Sequence, residues 1–269
     1  MSGFSADWLM LRESYDLRAR NPTVLDAVAA SLKSRPSVHI VDLACGTGST
    51  LRALNPRLPA RQNWKLIDND LDLLARATAT PLARDTAVTA IPLDLNRDLD
   101  AALDGTIDLV AISALLDLVS DSWLNRLAAA VAARSIPLYA ALSYDGRIGF
   151  TPPDPLDAAV AAAVNAHQRT DKGFGPALGP AAASFATARF EALGYLVVQG
   201  TSDWTIGPDD RNMQTEILAG WASAAHDMGA LPLADTTAWL ARRRAAVAAG
   251  CSSLYVGHVD FFAKPSAIR

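Results

Sequence analysis

A turn rich in small residues is the first feature that could bind a polar ligand. In VHIVDLACGTGST, residues 38–50, an apolar run passes directly into Gly46 and Gly48. Glycine lets a ligand approach the main chain closely, and free N–H groups at the start of a helix attract polar or anionic groups. A dinucleotide fingerprint needs a third glycine, but Leu51 or Ser49 stands there, depending on the register. The sequence therefore predicts a polar-ligand site and disfavours a nicotinamide dinucleotide.

Two acidic positions close later apolar runs in the same way. Asp68 ends the run in KLIDND, and Asp94 ends the run in IPLDLN. The carboxyl ends of parallel strands lie at one edge of an open α/β sheet, where such sheets bind ligands. We therefore expect both carboxylates near the glycine turn. A strand-end aspartate is also often a helix N-cap, so each has a purely structural alternative.

The elements that must position these residues are short apolar runs. Helix-length segments separate the first five runs, which indicates crossover helices and a parallel sheet. We predict an α/β fold, doubly wound and Rossmann-like, with a seven-stranded, mostly parallel sheet, an antiparallel C-terminal edge strand and helical cap insertions. The runs are residues 38–43, 64–68, 88–93, 107–113, 136–142, 195–199 and 254–263.

The chain is predicted to form one main domain with an added lid and cap. We place an N-terminal helical lid at 1–36 and the main α/β domain at 37–269. Cap insertions are expected at about 151–180, which is rich in Pro and Gly, and at about 207–250, which holds two amphipathic helices.

The glycine turn resembles motif I of class I S-adenosylmethionine-dependent methyltransferases, in which an acidic residue precedes a Gly-x-Gly-x-Gly spacing. Here the pattern is Asp42, Ala44, Gly46 and Gly48, with alanine in place of the first glycine. The resemblance covers about residues 38–142. It implies S-adenosylmethionine as cofactor, with Asp42 facing the cationic amino group of the cofactor, directly or through water, and the turn cradling its methionine and ribose.

The same resemblance implies roles for residues at the later strand ends. Asp68 would accept hydrogen bonds from both ribose hydroxyls, and Asn69 would flank the adenine. Asp94 would accept from the adenine amino group, while the main chain of Leu95 donates to a ring nitrogen. Ser113 would line the pocket beneath the transferable methyl group.

The N-terminal segment WLMLRESYDLRAR is predicted to be a helix with Trp8, Leu11 and Tyr15 on one face. By the same resemblance, such a helix lies across the cofactor mouth, and Arg12 contacts the methionine carboxylate. The alternative for Arg12 is a solvated helix face.

The segment NAHQRTDKGFGP is the richest polar cluster on the substrate side. Methyl transfer from a sulfonium is an in-line displacement, so positioning supplies much of the catalysis, with a general base only where the nucleophile carries a proton. We predict His167 and Asp171 as catalytic residues and Lys172 as a ligand of a substrate carboxylate. The alternative is a helix C-terminus and a capped turn. HQRTDKGFGPALGP and IGPDDRNMQ are similar to stretches of a subgroup of bacterial methyltransferase-like proteins.

Two aromatic residues are further candidates for substrate contacts. Tyr144 follows the fifth run, where the Asp-Gly dipeptide after it equally suits a turn. Trp204 lies in the C-terminal half with Trp221 and Trp239, where aromatic residues equally suit plain core. His258 is predicted to be structural.

Composition limits the class of partner. The formal net charge is -4 and the pI is about 5.5, so the overall field favours neither a nucleic acid nor an anionic membrane, and we expect a small-molecule substrate. Cys45 and Cys251 are too few for a disulfide framework or a zinc site, and we predict no metal. With neither a signal peptide nor a long apolar stretch, we expect a cytoplasmic protein. An oligomer is compatible with the sequence but not indicated by it.

The sequence predicts an enzyme of class EC 2.1.1.- that transfers a methyl group from S-adenosylmethionine to oxygen or nitrogen of a small molecule by in-line displacement. SALLDLVS stands where methyltransferases of amino groups in nucleic acids or glutamine carry Asn-Pro-Pro-Tyr, which disfavours those substrates. A second hypothesis is a non-catalytic S-adenosylmethionine-binding regulatory or assembly protein, which a cofactor pocket without a substrate cavity would favour. A third is a nicotinamide-dependent oxidoreductase, which tight NADH binding would support.

Overall fold

The computed structural model describes residues 5–59, 61–79, 82 and 85–266. Within these ranges, one sheet has the strand order β3-β2-β1-β4-β5-β8-β6, and β7 pairs with β8 beside it. Strands β1 to β5 run parallel, whereas β8 pairs antiparallel with β5, β6 and β7. The strands are β1 (Ser37–Leu43), β2 (Arg61–Asp68), β3 (Thr86–Pro92), β4 (Leu109–Ser113), β5 (Leu138–Thr151), β6 (Tyr195–Thr201), β7 (Trp204–Ile206) and β8 (Ser253–Pro265).

Helices connect the parallel strands, and further helices come after β5 in the sequence. The first N–H groups of a helix have no partner within the helix, and a side-chain oxygen at the N-cap can accept from one of them. In α1, Ser5 accepts from the Trp8 N–H, and in α2, Asn21 accepts from the Val24 N–H. The α-helices are α1 (Ala6–Ala19), α2 (Pro22–Leu32), α3 (Ser49–Leu54), α4 (Leu71–Ala79), α5 (Leu99–Ala102), α6 (Asp121–Ala133), α7 (Asp157–His167), α8 (Ala182–Ala192), α9 (Arg211–Asp227) and α10 (Leu233–Ala248).

The predicted Rossmann-like fold is confirmed, with one strand more than expected. Strand β7 has only three residues, which is too short to show a period-two pattern. The turn interpretation at the Asp-Gly after Tyr144 is wrong, because β5 continues through it to Thr151. The pairing with β8 shifts register between Tyr144 and Ile148, and Gly146 takes a φ of 90° there. A bulge therefore lengthens β5 into the cap.

Two apolar layers cover the sheet. One packs α5, α6 and α8 against it, and the other packs α2, α3 and α4 against the opposite face. In α2, Val24, Leu25, Val28 and Leu32 are all buried in this second layer. The predicted lid at 1–36 therefore corresponds only to α1, because α2 is part of the core.

A third apolar cluster forms the cap. Helices α7, α9 and α10 enclose Val160, Ile217 and Trp239 together with β7 and the far end of β5, and Trp8 of α1 packs against them. This cap stands beside the carboxyl ends of β4 and β5. None of the helices in the described ranges combines the length and the apolar character that crossing a membrane requires.

Candidate active site

The turn after β1 has the backbone geometry that small residues permit. Ala44 and Gly46 both have a φ of 54°, in the left-handed region. The Gly46 N–H donates to Asp68 Oδ2 at 2.9 Å, which ties this turn to the end of β2. A Cβ added to Gly46 would lie 3.2 Å from Leu9 Cδ1, so α1 packs directly on the glycine. The turn is held between β2 and α1.

This turn opens on a cavity of about 710 Å³, here called the cofactor cavity. Asp68 stands in its wall with only 9% of its surface exposed. Burial raises the pKa of Asp68, although the N–H groups of Asp70 and Gly46 partly offset this effect. The predicted cofactor residues that line the cavity are Arg12, Ala44, Gly46, Asp68, Asn69, Asp94, Leu95 and Ser113.

Two predicted cofactor residues lie outside this cavity. Gly48, with a φ of 84°, forms the N-cap of α3, and a Cβ there would lie 3.2 Å from Ala77 Cβ of α4. Its role is therefore close helix packing. Asp42 is fully buried, and neither carboxylate oxygen has a hydrogen-bond partner among the described residues. Side chains alternate along β1, so Asp42 shares the face of Val38 and Ile40 and lies inside the core. This position corrects the prediction that Asp42 contacts the ligand directly, because its side chain lies in the core.

Asp42 lies in the field of a buried cation, Arg20, at the end of α1. The Arg20 guanidinium donates to Tyr139 Oη at 3.1 Å and to Thr50 Oγ1 and Ser113 Oγ at 3.3 Å each. Burial lowers the pKa of Arg20, but Tyr139 and Asp260 more than offset this and raise it. Since Thr50 and Ser113 both line the cofactor cavity, the Arg20 hydrogen bonds hold two side chains of the cavity wall in place.

The ionised partner of Arg20 is Asp260 rather than Asp42. Tyr139 Oη donates to Asp260, which also accepts the Leu142 N–H at 2.8 Å and the Asn21 N–H at 2.9 Å. Burial raises the pKa of Asp260, and these hydrogen bonds together with Arg20 oppose that shift by favouring the charged form. Asp42 has no such donors, and burial, opposed by Arg20, raises the pKa of Asp42 to about 8. Asp42 is therefore mostly protonated near neutral pH.

This assignment predicts the pH dependence of Asp42→Asn. The folded protein holds the Asp42 proton more tightly than the unfolded chain, where the carboxyl has its ordinary pKa of 3.8. Wild-type stability from this group is therefore present below about pH 4 and lost as the pH rises towards about 8. The uncharged amide escapes that loss, so urea unfolding should show Asp42→Asn gaining on the wild type between those limits, by at most about 1.4 kcal/mol per pH unit. The exposed Asp72→Asn is the control, and equal pH slopes for wild type and Asp42→Asn would contradict the assignment.

A second cavity of about 490 Å³, here called the acceptor cavity, adjoins the first. The two share Arg12, Ala114, Leu118, His167 and Gln168 in their linings. The shared residues come from α1, the turn after β4 and the end of α7. Two pockets with a common wall can bring a methyl donor and an acceptor together.

The predicted substrate residues Tyr144 and Trp204 both line the acceptor cavity. Tyr144 Oη donates to Asn165 Oδ1 at 2.7 Å, and the Trp204 indole N–H donates to Asp16 Oδ1 at 3.0 Å. Arg12 bonds Asp16 at 2.9 Å and lies 5.1 Å from the Trp204 ring centroid. These contacts fix both aromatic side chains and orient the Arg12 guanidinium between the cavities.

The polar cluster at the end of α7 divides between the site and a turn. His167 lines both cavities, and burial, assisted by Lys172, lowers its pKa. Lys172 lies 3.4 Å from His167 Nδ1 and lines the cofactor cavity, not the acceptor cavity. Asp171 lines neither, because its carboxylate accepts the N–H groups of Gly173 and Gly175. Of the three predicted residues, only His167 therefore lines the acceptor cavity. Lys172 lines the cofactor cavity alone, and Asp171 lines neither cavity.

Sequence reasoning missed two groups in the acceptor cavity. Asp117 follows β4 and is 5% exposed, and His258 of β8, interpreted as structural, is equally buried. Asp117 Oδ1 and His258 Nδ1 have no hydrogen-bond partner within the described part of the chain. Asp117 is a single acid within SALLDLVS, and no motif there marks it as a site residue. His258 is far from Asp117 in the sequence, so nothing in the sequence indicates that the two residues line the same cavity.

Comparison with protein families identifies the domain. Residues 40–135 match the family model described as a methyltransferase domain. Over these residues the chain carries a methyltransferase domain. It is accordingly an enzyme of class EC 2.1.1.- with S-adenosylmethionine as cofactor. The matched segment contains most of β1, all of β2 to β4, the glycine turn, and Asp68 and Asp94 of the cofactor cavity. No curated protein sequence matches this methyltransferase.

Solved structures share the fold of the methyltransferase at low identity. A cyclopropane-fatty-acyl-phospholipid synthase-like protein from Lactobacillus casei has a TM-score of 0.50 at 14% identity, with 94% of this chain and 98% of that chain covered. A putative methyltransferase from Bacillus halodurans has a TM-score of 0.50 at 13% identity, with 91% and 100% covered. A methyltransferase from Geobacter sulfurreducens in complex with S-adenosyl-L-homocysteine has a TM-score of 0.47 at 18% identity, with 99% and 100% covered.

Proposed function

We propose that this methyltransferase acts on oxygen or nitrogen of a small-molecule acceptor held in the acceptor cavity. The observation that supports this most strongly is the common wall of the two cavities. An in-line displacement requires donor and nucleophile to be close and aligned, and adjoining pockets supply that proximity. A cavity of this size, lined mainly by apolar and aromatic side chains, suits a small organic molecule.

We assign the cofactor contacts to residues of the cofactor cavity. Asp68 accepts hydrogen bonds from the ribose hydroxyls, and Asn69 flanks the adenine. Asp94 and the Leu95 main chain meet the adenine edge, and Ser113 lies under the methyl group. The buried Asp68 carboxylate and the glycine turn fit a ligand with vicinal hydroxyls and a polar tail. Arg12 is assigned to the methionine carboxylate, at the point where it borders both cavities.

His167 is our candidate for proton exchange between the site and solvent. It is about one-third exposed, and its lowered pKa keeps the imidazole neutral and able to accept a proton near neutral pH. Asp227 Oδ2 lies 3.9 Å from Nε2, so that a protonated His167 would have a counter-ion.

We further propose that the protein works in the cytoplasm and not on nucleic acid. Its acidic balance opposes a phosphate backbone, and both Cys45 and Cys251 are free thiols. A regulatory protein without chemistry would need no second cavity, and the acceptor cavity argues against that alternative. Tight binding of NADH in place of S-adenosylhomocysteine would argue for the oxidoreductase.

The variant Gly220→Phe tests this function. Gly220 lines the acceptor cavity on α9, and a Cβ there meets nothing within 4 Å, so an aromatic ring can occupy the cavity. The enzyme is incubated with methyl-labelled cofactor and a metabolite filtrate, and label is counted in the small-molecule fraction. We expect the variant to transfer about tenfold less label, corresponding to about 1.4 kcal/mol, with unchanged S-adenosylhomocysteine affinity.

The control is Ser223→Phe, which adds the same ring to an exposed position of α9 outside the cavity. It should behave as wild type. Wild-type label appearing only in macromolecules would reject the small-molecule acceptor. Equal transfer by both variants would reject the acceptor cavity as its site.

A further inference from the structure

Two buried polar side chains, Asp117 and His258, line the acceptor cavity. Asp117 lies in the turn of 3₁₀-helix Leu116–Leu118 that follows β4, and His258 lies on β8. Both side chains line the cavity, whereas Asp117 Oδ1 and His258 Nδ1 themselves are buried behind its surface and lack a partner in the described ranges. An unpaired buried polar atom is unfavourable. An acceptor that offers hydrogen-bonding groups to these two side chains would therefore stabilise the site.

Asp117 stands on the acceptor side of the shared wall. Its neighbours Ala114 and Leu118 line both cavities, whereas Asp117 lines only the acceptor cavity. The same short turn thus borders the methyl donor and directs a carboxylate at the acceptor. Burial raises the pKa of Asp117 to about 6, so the group is mostly ionised at neutral pH and still basic enough to take a proton.

The remaining charges disfavour an anionic acceptor. Arg12 is the one Lys or Arg side chain that the described residues contribute to this cavity, and beyond its ion pair with Asp16 it is assigned to the methionine carboxylate of the cofactor. Glu216 adds a second acid to the lining. His258 is neutral, because burial, assisted by Arg12, lowers its pKa to about 3. The cavity therefore receives hydrogen-bond donors better than carboxylates.

The walls of the cavity are aromatic. Trp8, Trp204 and Trp221 line it, with Trp8 and Trp204 packed edge to face at 6.4 Å between ring centroids. The His258 ring lies 4.8 Å from Trp204. Flat side chains of this kind pack well against a planar ring.

Resting on the proposed function, we propose that the acceptor is a non-anionic, ring-containing molecule whose methylated nitrogen or oxygen carries a proton directed at the Asp117 carboxylate. The cofactor supplies an electrophilic methyl group. As the bond from the acceptor atom to the methyl carbon forms, the bond to sulfur breaks and its electron pair stays on sulfur, which becomes neutral. Asp117 takes the acceptor proton and later returns it to solvent. The His258 side chain meets a second polar atom of the ring system.

Matched ring compounds test this inference by calorimetry on enzyme saturated with S-adenosylhomocysteine. The probes are 2-naphthol, 2-methoxynaphthalene, which lacks the O–H, and 2-naphthoate, which is an anion. A hydrogen bond to a charged group should make 2-naphthol bind about tenfold tighter than 2-methoxynaphthalene. We expect 2-naphthoate to bind most weakly. Chromatography with S-adenosylmethionine should show conversion of 2-naphthol to 2-methoxynaphthalene.

Three variants separate Asp117 from its surroundings. Asp117→Leu should abolish the preference for 2-naphthol, and Asp117→Asn should retain part of it but lose methyl transfer, because an amide cannot take the proton. Asp209→Leu removes an exposed acid outside both cavities and should retain both properties. All three should bind S-adenosylhomocysteine as wild type does, which checks that they fold.

Equal binding of the two neutral probes by wild type, no binding of either, or a preference that survives Asp117→Leu would each overturn the inference. The proposed function fails differently, since it requires that label enter small molecules in the metabolite assay. Label entering small molecules without any preference for 2-naphthol would therefore remove only the role of Asp117.

Discussion

Arg20→Met is expected to lower the free energy of unfolding by about 3–5 kcal/mol, because it leaves a buried carboxylate without its cation. Arg20 is 4% exposed and bonds Tyr139, Thr50 and Ser113, and through Tyr139 it reaches Asp260. Methionine fills a similar volume but supplies no charge and no donor. Urea unfolding followed by circular dichroism measures the difference.

The control is Arg18→Met on the same helix, whose exposed guanidinium stacks on Tyr15 and should contribute little. A second measurement identifies the ionised partner. Combining Arg20→Met with Asp260→Asn removes the uncompensated charge and should recover part of the loss, whereas combining it with Asp42→Asn should not. Recovery by Asp42→Asn alone would make Asp42 the partner and reverse our assignment.

Asp68→Ala is expected to weaken S-adenosylhomocysteine binding about hundredfold or more, corresponding to about 3 kcal/mol for two hydrogen bonds to a charged group. The variant also frees the Gly46 N–H that Asp68 holds at 2.9 Å, so the glycine turn loses its tie to β2. Isothermal titration calorimetry of the purified protein measures the change.

Two further variants make this result specific. Asp68→Asn keeps one acceptor oxygen and should fall between the wild type and Asp68→Ala. Asp72→Ala removes an exposed acid four residues away, outside the cavity lining, and should bind as wild type. Wild-type affinity in Asp68→Ala would remove Asp68 from the proposed ligand set and leave the fold assignment unaffected.

The cofactor half of the molecule could be predicted because its geometry is local. Each parallel strand ends at the same sheet edge, so Asp68, Asp94 and Ser113 converge once the strands are recognised. Asp42 shows the limit of this reasoning. It lies one residue before the end of β1, and the alternation of side chains turns it into the core beside Arg20, a cation on another element.

The acceptor half could not be predicted in the same way, because it is assembled from distant segments. Asp117 and His258 are brought together only when β8 inserts beside β5 in the sheet. Asp171, in contrast, is near His167 in sequence but caps a turn of its own. Closeness in sequence does not predict a shared site where the N–H groups of a glycine-rich turn bind the carboxylate instead.

Helix α1 borders both cavities, with Leu9 and Asp16 on the cofactor side, Trp8 on the acceptor side and Arg12 on both. Any ligand in one cavity that shifts or orders this helix also changes the wall of the other cavity. Binding linkage is reciprocal, so we expect S-adenosylhomocysteine and an acceptor to change each other's affinity by the same factor. Helix α1 is the element through which such linkage would act.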